Sequence, residues 1–226
     1  VFISGKVSDE LLKDINEELM RSIRRGKKTV YQNEKIMHSP QKIFLEGSGD
    51  SVQTAIRIGC QLFGRNHPDY KGMFMLNNLL GGYFGSRLMT NIREEKGLTY
   101  NIFSTVDTMM HGGCFYVGTE VSNEYVERTI TEIYREFEKL QQELVEEDEL
   151  HMMKNYLLGS LLTSLDGPFN MTDVIKTLVL DGLPMSDFES LVRTIKNITA
   201  ADIQVLAQKY LNKKDMWEVC VGLQKK

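Results

Sequence analysis

Apolar positions along the chain follow two periods, and the period switches where the elements change. Between Val52 and Cys60, Ile56, Ile58 and Cys60 alternate with Arg57 and Gly59, the period-two pattern of a half-buried strand. Phe115, Val117, Thr119 and Val121 share one face of the stretch Gly113–Val121 in the same way. Lys42–Glu46, Leu98–Val106, Met216–Val221 and Val1–Val7 also read as strands. Elsewhere the spacing is helical. Leu11, Leu12, Ile15, Leu19 and Ile23 form a stripe behind Ser8, a residue suited to cap a helix N-terminus. Met73, Leu76, Leu79 and Leu80 lie on one side of a helix over Asp69–Leu80, which Gly81-Gly82 ends. Ser86 starts a short helix with Leu88, Met89 and Ile92 facing inward, and Gly97 sits where a C-terminal glycine cap belongs. Asn123 opens a long amphipathic helix carrying Val126, Ile130, Ile133, Phe137 and Leu140. Helices over Glu146–Leu165 and Phe169–Leu180 are parted by Asp166-Gly167-Pro168. Capping-box spacings at Ser186–Glu189 and Thr199–Asp202 introduce two more.

The predicted order is β-α, then β-β-α-α-β-β-α-α-α-α-α-β. Two tight β-β connections imply antiparallel pairing. One predicted hairpin joins Lys42–Glu46 to Val52–Cys60 across 47–51; the other joins Leu98–Val106 to Gly113–Val121. Helices come in runs rather than alternating with strands. The fold class is therefore α+β, a two-layer α/β sandwich with one helical layer on a mostly antiparallel sheet. From Gly26 to Pro40 the chain is polar and aperiodic, which marks a linker.

Charge and composition narrow the function classes. The 226 residues carry 27 Lys+Arg against 31 Asp+Glu, a formal charge of -4. A broad nucleic-acid footprint is not expected, because counterion release needs a strong basic face. No apolar run approaches the roughly 20 residues of a membrane span. Cys60, Cys114 and Cys220 are far apart and odd in number, unlike a disulfide framework. Each sits in an apolar or strand-like context and is expected to be a buried thiol. That usage favours a reducing compartment such as the cytoplasm. The chain begins at Val1, inside a strand-like stretch, and reads as a piece of something longer.

Candidate chemistry is sparse. His38, His67, His111 and His151 are too dispersed for a zinc helix, which needs a histidine pair at close helical spacing. Glu147 and His151 share a helix face and are expected to form a surface ion pair. No nucleophile elbow is present, and Ser86 reads as a helix cap. Gly81–Ser86 lacks both phosphate-loop patterns and reads as a close-packed turn between helices. What remains is Arg93 in the last turn of a helix and Tyr100 at the start of the next strand, seven residues apart across the Gly97 turn. A guanidinium and a phenol converging at such a corner are a fitting pair of donors for a carbonyl oxygen that gains negative charge. Two structural alternatives stand beside this. Arg is favoured near a helix C-terminus by the macrodipole, and Tyr is an ordinary strand residue.

The segment Leu79-Leu80-Gly81-Gly82, Ser86-Arg87-Leu88 and Arg93-Glu94-Glu95-Lys96-Gly97-Leu98-Thr99-Tyr100 resembles the second half of the M16 metallopeptidases, the family of pitrilysin, insulin-degrading enzyme and mitochondrial processing peptidase. Val1–Ser8, His67–Tyr70 and Glu146–Asn155 resemble further stretches of it. The resemblance implies a LuxS/MPP-like metallohydrolase fold. It also implies two homologous domains around a substrate chamber, with zinc on an H-x-x-E-H motif plus a distant Glu in the N-terminal one. In active members an Arg and a Tyr seven residues apart hold the scissile carbonyl or its oxyanion, which places Arg93 and Tyr100 in that role. This chain has no H-x-x-E-H. It is thus expected to bind no metal itself and to be silent alone, with zinc in the parent or partner domain. By the same resemblance, residues 1–26 are a strand and helix left from the zinc-bearing domain, 27–40 the linker and 41–226 the M16 C-terminal domain. The expected partners are a peptide substrate and a zinc-bearing domain or subunit; a homodimer of the fragment is left open. The alternative is a non-catalytic homologue serving as scaffold or assembly subunit.

Overall fold

The computed structural model describes residues 1–19, 21, 23, 26–27, 39–47 and 51–222. His38, most of the linker at 27–40 and most of the loop at 47–51 lie outside the described residues. Five strands build one sheet: β1 (Lys42–Glu46), β2 (Gln53–Leu62), β3 (Ile102–Thr108), β4 (Gly113–Ser122) and β5 (Trp217–Gly222). The spatial order is β1-β5-β2-β4-β3. The β2–β4, β2–β5 and β3–β4 pairs are antiparallel, and only β1–β5 is parallel.

This order corrects the first predicted hairpin. β1 does not pair with β2, because β5 lies between them: Phe44 is opposite Cys220, and Cys220 is opposite Ile56. β5, Trp-Glu-Val-Cys-Val-Gly, places Trp217, Val219 and Val221 on one face and buries Glu218, Cys220 and Gly222 on the other, and it is paired along both sides, with β1 and with β2. The six-residue connection from Gly47 to Val52 is too long to impose pairing as a two-residue turn would. The second predicted hairpin is present, with Val106 opposite Phe115. Val1–Val7 forms no strand. Among the described residues it meets no partner strand, and a lone strand gains no ladder hydrogen bonds.

Among the described residues the α-helices are α1 (Asp9–Asp14), α2 (Tyr70–Asn77), α3 (Val126–Gln142), α4 (Glu147–Ser164), α5 (Gly167–Leu180), α6 (Ser186–Asn197) and α7 (Ala200–Tyr210). Among the described residues Ile15–Leu19, Asn78–Gly82 and Met89–Glu95 are wound as π-helix. The Ser8 hydroxyl accepts from the Leu11 amide at 3.2 Å, so the first cap forms as expected. Thr199 and Asp202 form a full capping box. Ser186 does not: Asp187 beside it instead holds Lys71 at 2.5 Å, and the helix starts after Met185 without a side-chain cap. Asn123 is drawn into the sheet, accepting from the Thr54 hydroxyl and donating to the Ser51 carbonyl, both at 2.8 Å. A 3-10 turn therefore precedes α3.

One sheet face is buried and the other open. Ile56, Ile58, Cys60 and Leu62 of β2 are buried, while the intervening residues are exposed or half-buried. The helical layer packs on the buried face. Phe115 and Phe137 meet there with ring centroids 6.0 Å apart, beside Met73, Leu76, Ile133 and Ile203. The two-layer α+β reading thus holds.

Candidate functional site

The double-glycine turn brings the candidate pair into place. The π-helical segment Asn78–Gly82 lies along the outer edge of β3, where the Ser104 hydroxyl donates to the Asn77 carbonyl at 3.1 Å. The close approach needs Gly81. A Cβ there would sit 2.6 Å from the Ser104 amide nitrogen and 3.0 Å from a Leu88 methyl. The chain then turns through Tyr83–Gly85 into the helix that bears Arg93. Ser86 begins this helix through its carbonyl, which accepts from the Thr90 amide at 2.9 Å. Its hydroxyl is buried without a partner, so it is not the side-chain cap expected.

A polar ladder fixes this helix to α3. Asn91 donates to Glu136 at 2.6 Å, and Lys96 pairs with Glu132 at 3.0 Å. Burial works against the Glu132 carboxylate, but the bonds from Lys96 and Asn91 outweigh it and hold its pKa below the usual range. Nearby, Arg87 forms a two-pronged bond to Glu149 of α4 at 2.7 and 2.8 Å. Burial disfavours its charge, yet Glu149 more than compensates and raises its pKa. Gly97 then ends the helix with φ +60°, and the Leu98 amide reaches back to the Ile92 carbonyl at 3.0 Å. This is the glycine termination the sequence predicted. Thr99 locks the far side of the turn, donating to the Glu120 carbonyl at 2.7 Å and accepting from Thr119 at 3.0 Å.

Arg93 and Tyr100 are thereby brought together. The Arg93 guanidinium lies 5.5 Å from the Tyr100 ring centroid and 4.7 Å from that of Phe84. Its side chain is only 26% exposed, and Glu94 approaches no closer than 4.0 Å. Tyr100 is 88% exposed, and its hydroxyl has no hydrogen-bond partner among the described residues. The pair therefore presents one framed cation and one free phenol at the rim of the open sheet face. Phe84 was not anticipated as part of the site. Its place in a glycine-rich turn was the one signal for it in the sequence.

A recess of about 300 Å³ opens beside Tyr100, lined by Arg57, Phe103, Asn101 and Glu120 among others. A separate apolar recess of about 400 Å³ lies among α2, α4, α5 and α6 and shares no lining residue with it. Among the described residues no group of three or more His, Cys, Asp or Glu is arranged to hold a metal ion. His151 and Glu147 do not form the expected ion pair; both are exposed, where such a pair contributes little. Cys60 and Cys220 are buried as expected, but Cys114 is exposed. It falls on the open face of β4, opposite Asp107.

The described residues thus form a two-layer α+β domain with one open sheet face. The chain belongs to the M16 peptidase family: residues 1–157 match the family model described as "Peptidase M16 inactive domain". It is similar to the "Uncharacterized zinc protease YmxG" of Bacillus subtilis, 24% identical over 166 residues, covering 74% of this chain and 40% of that protein. An uncharacterized zinc protease of Mycobacterium tuberculosis is 23% identical over 218 residues, covering 95% of this chain and 49% of that one. The fold is shared with the crystal structure of the peptidase M16 inactive domain from Pseudomonas fluorescens. The TM-score is 0.83 at 24% identity, over 97% of this chain and 52% of that one. A chain of Complex III2 from Candida albicans shares the fold too, with TM-score 0.74 at 16% identity, over 96% of this chain and 53% of that one. The chain thus spans about half the length of the curated relatives it matches.

Proposed function

We propose that this chain is the substrate-binding half of a zinc metalloendopeptidase, with Arg93 and Tyr100 as the donors that hold the scissile carbonyl. The observation that carries this reading is the Arg93 guanidinium set between the Phe84 and Tyr100 rings at the rim of the open sheet face. A cation so framed keeps its N–H groups oriented and loses little freedom when an oxyanion forms. The Tyr100 hydroxyl adds a second donor from across the Gly97 turn. The zinc-bearing half would supply the metal-activated water and a Glu base. This chain's residues would bind and orient the peptide and take up the developing negative charge. Residues 1–26 and 27–40 would be the tail of that half and the linker.

The test is steady-state kinetics of the full-length protein, or of this chain with its zinc-bearing partner. Arg93→Ala and Tyr100→Phe are each expected to lower kcat by roughly 10- to 1000-fold, the scale of losing one oxyanion donor. Unchanged kcat in both variants would remove them from the reaction.

A scaffold role is the second reading. It is favoured by a Bacillus subtilis relative named "Probable inactive metalloprotease YmfF", 24% identical over 137 residues, covering 60% of this chain and 31% of that protein. It predicts no H-x-x-E-H in the full-length protein or its partner, which reading the sequence upstream of Val1 and of any partner subunit would decide.

A further inference from the structure

The recess beside Tyr100 holds a cation that pairs with no carboxylate among the described residues. Arg57 lies on the open face of β2, one strand from the Arg93–Tyr100 corner. Its Nη1 donates to its neighbour's carbonyl, Ile56, at 2.9 Å and to the Thr119 carbonyl at 3.4 Å. Its Cζ is 5.8 Å from the centroid of the Phe103 ring. Backbone dipoles and a ring face therefore set its position, and its remaining N–H groups have no partner among the described residues.

Gly118 makes this posture possible. It is opposite both Arg57 and Phe103 in the sheet. A Cβ at Gly118 would lie 2.7 Å from the Phe103 ring and 3.2 Å from the Arg57 Cζ. The glycine thus leaves room for both side chains to lie flat across β4 and floor the recess. Glu120 also borders the recess, but it is exposed and makes no ion pair with Arg57 among the described residues. A planar guanidinium with free N–H groups, fixed by its surroundings, suits a carboxylate geometrically.

We propose that Arg57 is a specificity-determining residue that receives a substrate carboxylate, so that peptides carrying one near the bond held at Arg93 and Tyr100 are preferred. The carboxylate is an Asp or Glu side chain or the free C-terminus of the peptide. This inference rests on the peptidase reading above for the reaction, but not for the binding.

The experiment uses C-terminally amidated peptides in which one Asp, or an Asn in its place, is moved through the sequence, with one free-acid counterpart. Cleavage by the full-length enzyme and fluorescence-anisotropy binding to the 226-residue chain are read in parallel. Asp is expected to improve KM and binding about 5- to 30-fold over Asn at one or two positions, the scale of a charge-assisted bond in a half-open site. If the free C-terminus is the occupant, the free-acid peptide alone gains. Arg57→Gln should erase the difference while leaving the melting temperature unchanged. Arg57→Lys should restore part of it, Arg57→Glu should turn it toward Lys-bearing peptides, and Glu120→Gln should enlarge it. An Asp-to-Asn ratio equal in wild type and Arg57→Gln, or equal binding of all peptides by wild type, overturns the proposal. If nothing is cleaved, the peptidase reading fails by itself, and the binding series still decides Arg57.

Discussion

Substituting Gly81 by alanine tests how the site is held to the sheet. The added methyl would stand 2.6 Å from the Ser104 amide nitrogen, 2.7 Å from its hydroxyl and 3.0 Å from a Leu88 methyl. The nearest of these is backbone of β3, which is fixed by its pairing with β4 and cannot rotate away. Relief to ordinary contact requires the π-helical segment to move off the β3 edge by several tenths of an ångström. Overpacking of this kind costs about 1–3 kcal/mol. Loss of the buried Ser104-to-Asn77 bond, 3.1 Å long, adds about 1 kcal/mol. The expected total is about 2–4 kcal/mol, or a fall in Tm of roughly 5–15 °C for a chain of this size. Gly82 is the internal control. Its added methyl would press on the Asn78 and Asn77 side-chain ends at 2.8 and 3.3 Å. Those are side-chain atoms rather than backbone, although Asn78 is held to the Phe74 carbonyl at 2.8 Å, and alanine also restricts the unfolded chain. Gly82→Ala should therefore cost about 1 kcal/mol or less. Urea unfolding followed by circular dichroism, with thermal melts, reads both. A Gly81→Ala protein as stable as wild type, or equal losses at the two glycines, would refute the account of the turn.

Three further outcomes follow from particular contacts. Phe84→Ala keeps both candidate donors but removes one wall from Arg93. A cation–π contact at a partly exposed site contributes about 0.5–1 kcal/mol, so kcat of the full-length enzyme should fall only about 2- to 5-fold; a loss as large as that of Arg93→Ala would show that the ring does more than orient. Burial pushes the Cys60 thiol up to about 12, with Asp215 and then Cys114 adding to it. Cys220 is also raised, first by burial and then by Glu218. At pH 8 iodoacetamide should label Cys114 in the native protein and all three thiols in urea, and mass spectrometry that finds native Cys60 labelled would contradict its burial. Bonds from the Thr199 side chain and then its amide hold the Asp202 carboxyl below its usual value of 3.8. A lowered folded pKa stabilises above the unfolded value and is lost as pH falls through the folded one. Asp202→Asn should thus be less stable than wild type at pH 6, and the gap should close toward pH 3; a gap constant with pH would place the cap's contribution elsewhere.

The helices and the Gly97 turn were legible because their causes are local. The stripe Val126, Ile130, Ile133, Phe137 and Leu140, the break at Asp166-Gly167-Pro168 and the Thr199–Asp202 box each act within a few residues. The corner carrying Arg93 and Tyr100 was legible for the same reason. Its two residues are joined by one short turn, and Gly97 takes the left-handed conformation that brings them to one side. The M16 resemblance, read from those residues, is borne out by the match to the family's inactive-domain model. Strand partnership was not local. Whether β1 pairs with β2 depended on β5, some 170 residues later, which pairs with both and takes the place between them. The same distance hid Arg57. Its alternation with Ile56 and Ile58 marked it as an outward residue and nothing more. Only the register that sets it against Gly118, and Gly118 against Phe103, lays the guanidinium flat beside Tyr100. The sequence by itself determined most of the elements, the Ser8 and Thr199–Asp202 caps and the short turn that joins Arg93 to Tyr100. The tertiary structure decided which strands touch and which charges share a recess, because those depend on packing between residues the chain keeps far apart.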